Sequence, residues 1–239
     1  MDNEVHENQD VVLHLQNEAK SLLLNYELRL NGVSIIPKEI EVYFYKNGVF
    51  EDNSVHRNEL QKNHNGHFYI HRWGTKETDP YKGGRYPGID YVVSTNQEEY
   101  YSYLIRSAVV DDEIIVGPHK VLEAIMDKTH LSEKVIEKLQ IDLVSHCSQS
   151  QVLFSKRINL GKKVEENYRN CRLRAVVCDE QFKTANYRGK GNMVVDFLLD
   201  DPHIEPDVAE EFSRNPAHHM DGDQVVRLVK FVSEAHFNR

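Results

Sequence analysis

Between residues 26 and 110 the chain keeps returning to an alternation of apolar and polar residues, and no other feature limits its fold so strongly. YELRLNGVSII, KEIEVYFYK, HFYIHRW, GIDYVVS and EYYSYLIRSAVV all carry it. Period two marks a strand with one face buried, and Asn31-Gly32 is the dipeptide that closes a tight hairpin. The expectation is a largely antiparallel, curved β-sheet. Helical spacing frames it. Residues 10 to 24, DVVLHLQNEAKSLLL, place Val11, Leu15, Ala19 and Leu22/Leu23 on one stripe, with Asp10 as a cap. GPHKVLEAIMDK and LSEKVIEKL predict two helices after the sheet, the first opened by Gly117-Pro118. Residues 152 to 178 read as returning strands around a short turn or helix.

A chain of 239 residues with 40% hydrophobic content can bury a core without metal or disulfide staples. Cys147, Cys171 and Cys178 are odd in number and lack CxxC spacing, which points away from a disulfide framework or zinc site and toward a reducing compartment. His64, His67 and His71 do not have tetrahedral ligand spacing either, so no metal is expected. No apolar run approaches the roughly 18 residues of a membrane span, and MDNEVHENQD is acidic where a secretory leader would be basic and then apolar. A cytoplasmic location with no membrane partner is the expectation.

The formal net charge of −9 argues against a protein that coats nucleic acid by bulk electrostatics. Basic residues do gather in one place. Arg72, Lys76, Lys82 and Arg85 fall in or beside the loop WGTKETDPYKGGRYPG. With no repeats and no low-complexity linker, the chain reads as one α+β domain over residues 1–184. A helical extension over residues 185–239 is expected to pack on it. The last helix, residues 222 to 236, has a broad apolar arc that must be covered, by its own domain or by a homodimer or partner contact. HHMDGD, just before it, reads as a polar turn.

The order of short motifs adds a resemblance. After the first helix come E-x-Y at Glu41 to Tyr43 and D-x-x-x-H at Asp52 to His56. There follow the aromatic strand GHFYIHRWG, the strand GIDYVVS, LIRSAVV containing Arg106, G-P-x-K at Gly117 to Lys120, and RINLG at residues 157 to 161. Taken together, over roughly residues 10 to 178, this resembles the alkyladenine (3-methyladenine) DNA glycosylase family, a mixed α/β fold. Each motif is weak alone, and the ordered set carries the likeness.

The resemblance implies hydrolysis of the N-glycosidic bond of an alkylated or otherwise modified purine, flipped out of double-stranded DNA into a pocket. No cofactor is required for that repair chemistry. Glu41 matches the carboxylate that activates the water, and Arg106 the arginine that helps hold it. Tyr43 and His56 match the groups flanking the base. Asp90 stands where the family has an asparagine, and His71 about where an aromatic base-stacker would sit. The hairpin that meets the duplex is rebuilt here as a longer, polar loop. Arg72, Trp73, Lys82 and Arg85 are its DNA-facing residues, with Trp73 as the wedge and Tyr81 or Tyr86 as alternatives. Residues 185 to 239 have no counterpart in the pattern. Two other classes stay open: a repurposed member that binds a nucleoside or other small ligand, and an interaction module working through its C-terminal helix.

Overall fold

Tyr26–Leu30 (β1) and Val33–Lys46 (β2) form the hairpin that the Asn-Gly dipeptide predicts. Asn31 and Gly32 both take positive φ, 50° and 86°. Two positive values in succession give the turn whose twist matches the flanking strands, and glycine takes its value at little steric cost. The computed structural model describes residues 2–190 apart from Arg85, together with Met193 and Asp196.

The further strands are Phe50–Glu51 (β3), Phe68–Ile70 (β4), Ile89–Val92 (β5), Glu99–Val110 (β6), Glu113–Val116 (β7), Asp142–Ser145 (β8), Gln151–Ser155 (β9) and Arg174–Cys178 (β10). They make one curled sheet in the order β4-β5-β6-β2-β1-β8, antiparallel at every pairing. β3 and β7 lie against β2 and β6, and β9 joins through β10. β2 lies at the centre. Along one edge it follows β6 for its whole length, while along the other it leaves β1 after Ile35 and takes β10 as its partner at Glu39–Glu41.

A bulge lies where β2 changes neighbour. Pro37 pairs with Ala108, Glu39 with Ser107 and Ile40 with Ile105, so Lys38 and Arg106 fall between ladder pairs. Proline has no N–H for a ladder, and an irregularity is where a central strand tolerates one. The consequence is a change of phase. Before the bulge Val33 and Ile35 face the core; after it Ile40, Val42 and Phe44 do, which turns Glu39, Glu41 and Tyr43 to the opposite face.

Helix α1, Asp2–Asn25, buries Leu15, Ala19, Leu22 and Leu23 in the main core, and Pro118–Thr129 (α3) adds Val121, Leu122 and Ile125. The second face of the sheet has a thinner cover. The short helix Glu59–Asn63 (α2) sets Leu60 against Tyr69 and Val92 there. Two helix limits differ from the sequence expectation. α1 runs through Asp10 instead of starting at it, because the preceding residues contain no glycine or proline to stop a helix. The helix expected over 131–139 is one turn, Glu133–Ile136 (α4), because Glu137 turns inward to accept the backbone N–H of Ile70 at 2.8 Å. Two more single-turn helices, Glu166–Asn170 (α5) and Glu180–Thr184 (α6), flank β10. The helix expected over residues 222 to 236 lies outside the described residues. Among the described residues no helix is long and apolar enough to cross a membrane.

The core so defined should be intolerant of cavities. Ile40→Ala or Ile105→Ala should each cost about 2–5 kcal/mol in urea unfolding. Leu13→Ala, at a site 57% exposed, should stay within about 0.5 kcal/mol.

Candidate active site

The register aligns a row of residues across the second face of the sheet. Tyr69 pairs with Asp90, Asp90 with Leu104, Leu104 with Glu41, and Glu41 with Arg174. Residues directly opposite share a face, so strands remote in sequence place a phenol, two acids and an arginine in line. Tyr43 sits two pairs further along, on the same face, opposite Ser102. Arg106 comes from the bulge, its carbonyl accepting the Gly117 N–H at 2.8 Å.

Glu41 is wholly buried, at 0% exposure. Its Oε2 accepts the Tyr43 hydroxyl at 3.0 Å and lies 3.4 Å from Arg106 Nη1; its Oε1 accepts the Ile158 N–H at 2.9 Å. Asn159, next along, takes a φ of 61°, which turns the chain into the cavity wall. Glu39 accepts Arg106 Nε at 3.0 Å and Arg174 Nε at 2.7 Å. Asp52 lies 2.6 Å from Arg157 Nη1, and the Arg157 guanidinium sits 4.9 Å from the centre of the Tyr43 ring. Three buried carboxylates thus meet three buried guanidiniums. Burial opposes the Arg106 charge, but the carboxylates of Glu41 and Glu39 outweigh it and push the group's pKa up. Burial, with Glu41 beside it, pushes the Tyr43 phenol well above its ordinary range.

Beside this cluster lies a cavity of about 360 Å³. Tyr43, His56, Gln61, His71 and Asp90 line it, together with residues of the segment after Ile158, among them Asn159, Leu160 and Val164. Glu41 sits behind the Tyr43 wall. A larger hollow of about 810 Å³, between α1 and the far end of the sheet, shares none of these residues.

The two histidines have different environments. His56 receives a hydrogen bond from Lys82 Nζ on Nε2 at 2.9 Å, and Nδ1 lies 3.5 Å from the Tyr69 hydroxyl. Burial, then the like charges of His71 and Lys82, push its pKa down to about 3, so it is neutral near pH 7. Burial also lowers Lys82. His71 instead donates Nε2–H to Asp90 Oδ1 at 2.8 Å. Asp90 Oδ2 accepts Gln61 Nε2 at 3.0 Å and Ser102 Oγ at 2.9 Å. Burial works to raise the Asp90 carboxyl, yet its bonds and charge contacts with His71 leave it below its ordinary value. Asp90 therefore lines the cavity with both oxygens already committed to protein donors.

The residues expected to face DNA divide. Arg72 is 6% exposed, its Nη2 bonded to Glu137 and to the Tyr81 hydroxyl at 3.1 Å, its guanidinium 3.8 Å from the Tyr81 ring centre. Glu137 and the Tyr81 side chain hold the guanidinium inward, so it offers no charge to a phosphate and the expected rim role does not hold for it. Tyr81 is committed with it, bonding Glu137 Oε2 at 2.6 Å. Trp73 and Tyr86 are 64% and 71% exposed, with ring centres 6.3 Å apart. Lys82 Nζ lies 6.0 Å from the Trp73 ring centre while bonded to His56. Arg85 lies outside the described residues. Among the described residues no three His, Cys, Asp or Glu side chains form a group able to hold a metal.

The strand pattern did not single out Glu39, Arg157, Arg174 or Gln61. Gln61 had a readable signal, the Asn58-x-x-Gln61 capping box that opens α2 and fixes its side chain. Arg157 opens the RINLG motif without being marked as a site residue. A scan of protein-family models finds no match to this chain, and no curated protein matches its sequence.

The neutral state of His56 has a measurable consequence. The unfolded chain takes up this proton near pH 6.5, whereas the folded chain takes it up near pH 3. Stability held by neutral His56 is therefore present above about pH 6.5 and is lost as pH falls toward 3. His56→Gln should flatten this part of the pH dependence, seen as a smaller drop in urea midpoint between neutral and acid buffer.

Proposed function

We propose that this protein is a DNA repair glycosylase, hydrolysing the N-glycosidic bond of a modified purine turned out of double-stranded DNA into the cavity beside Tyr43. The observation that carries this reading is a buried carboxylate, Glu41, within 3.4 Å of Arg106 and bonded to a tyrosine that lines a polar cavity. About 360 Å³ is room enough for a purine base with part of its sugar. Tyr43 and His56 flank the base, and loss of stacking in the duplex is offset by contact with these rings. Glu41 accepts a proton from a water admitted past Tyr43 as that water attacks the anomeric carbon. Its negative charge also stabilises the positive charge that develops on the sugar. Arg106, 3.4 Å away, pairs with the carboxylate and holds it in place.

Glu41→Gln preserves shape and removes the base. It should lower release of an alkylated purine from a duplex oligonucleotide by at least about 100-fold, with thermal melting used to confirm that the variant is folded. Undiminished release by a folded Glu41→Gln protein would remove Glu41 from this role.

A second reading keeps the cavity but replaces the duplex with a free nucleoside or another small ligand. The inward position of Arg72, the commitment of Lys82 to His56 and the net charge of −9 favour it. Salt separates the two. A DNA-acting protein should bind an abasic-analogue duplex with log K falling by about 0.9 per phosphate contact against log salt. A small-ligand protein should bind nucleoside and ignore that duplex.

A further inference from the structure

We propose that the hollow of about 810 Å³ between α1 and the sheet is a second binding site, and that its ligand is an organic ammonium cation carrying a hydrogen-bond acceptor. The proposal stands apart from the glycosidic reading, because the hollow and the cavity at Tyr43 have no residue in common.

Aromatic side chains dominate the sheet side of this hollow. Phe44 comes from β2, Tyr91 from β5, and Tyr101 and Tyr103 from β6. Tyr101 and Tyr103 are two apart on one strand and lie opposite Phe44 and Val42, so their rings share the core face beneath α1. The ring centres of Phe44 and Tyr101 are 5.3 Å apart, as are those of Tyr101 and Tyr103. The faces of such rings are negative and attract cations. A hollow of this volume is in the range of small-molecule sites.

Two polar features of the walls ask for a ligand. The hydroxyls of Tyr101 and Tyr103 bond each other at 2.7 Å, and neither bonds any other group among the described residues. Whichever one donates, the other keeps a hydrogen with no acceptor. Tyr103 is 3% exposed and Tyr101 8%, where an unused donor is costly.

Glu18 is the second feature. It projects from α1 into the lining and has no hydrogen bond or ion pair among the described residues. It lies near the tyrosine pair: burial is the main reason both phenols are raised, and the charge of Glu18 adds to it. His14, one helical turn earlier, makes no ion pair with it. Among the described residues Lys46 is the one lysine or arginine in the lining, and it stands opposite Glu99 on the neighbouring strand. The charge of Glu18 is left without a counterpart.

One molecule answers both features. An ammonium group beside Glu18 and against the rings supplies the missing charge, and an oxygen on the same molecule accepts the spare tyrosine hydrogen. An anion would instead meet Asp10, Glu18 and Glu99 in the same lining.

The test is calorimetric titration of the full chain with two probes of one shape. Acetylcholine has a cationic head and an ester acceptor; 3,3-dimethylbutyl acetate has carbon in place of the charged nitrogen. Wild type should bind acetylcholine saturably with Kd below about 1 mM, and at least about tenfold more tightly than the uncharged ester. Glu18→Gln, at an exposed helical position, should bring that ratio to about two or less while leaving the uncharged ester's affinity in place. The double variant Tyr101→Phe with Tyr103→Phe keeps the rings and removes the donor, and should weaken both esters about fivefold. Thermal melting confirms that each variant is folded, and the Glu18→Gln readout stands even if the double variant fails to fold. No saturable binding of acetylcholine by wild type, equal affinity for the two esters, or an unchanged ratio in Glu18→Gln overturns the proposal. So does a folded double variant with undiminished affinity for both.

Discussion

The second face of the sheet depends on a mutual neutralisation of charge. Glu39, Glu41 and Asp52 are buried with Arg106, Arg157 and Arg174. Moving any one of them out of water alone would be prohibitive, and a matched set roughly offsets that cost. Taking away a single partner leaves a naked charge inside, worth about 3–5 kcal/mol of stability. This requirement fixes much else. β10 must lie beside β2 to bring Arg174 to Glu39, the 157–161 segment must cross beneath Tyr43, and the bulge must turn Arg106 inward.

A network of this kind serves structure and chemistry through the same bonds. The contacts that make Glu41 acceptable in the interior also fix its position, which is what the proposed activation of water requires. Of its two oxygens, one meets a tyrosine and an arginine and the other a single backbone N–H. A carboxylate oxygen with one partner keeps room for another. The neighbouring cavity has a different character, with hydrogen-bonded imidazoles, amide and carboxylate in place of the ion pairs.

Much of this was legible in the chain. Period-two alternation and the Asn-Gly turn gave the antiparallel sheet because both depend on local sterics and on one buried face. Glu41 and Tyr43 share a face because they are two apart on a strand, and that inference needs no tertiary information. Arg72 shows the limit. Its position in a loop suggested a solvent-facing charge, but a glutamate 65 residues later draws it inside. Asp90 was visible as a polar residue in a strand, while the three donors that occupy it come from α2, β6 and the residue after β4. The bulge at Pro37 left a trace in the sequence, a proline within an otherwise regular strand, yet the change of buried face it causes emerges only with the register of β6.

The change of neighbour along β2 also bears on how the molecule comes together. Glu39 and the Arg174 that neutralises it are 135 residues apart in sequence. A ribosome has released the first hairpin, both acids of β2 and Arg106 well before the other two guanidiniums emerge. Contacts of such long range are slow to form, because the intervening chain must first be gathered in. The sheet can thus begin to assemble from its N-terminal strands while its acidic face still lacks two of its counter-charges. The part of the protein assigned the chemistry is the part whose maturation waits for nearly the whole domain.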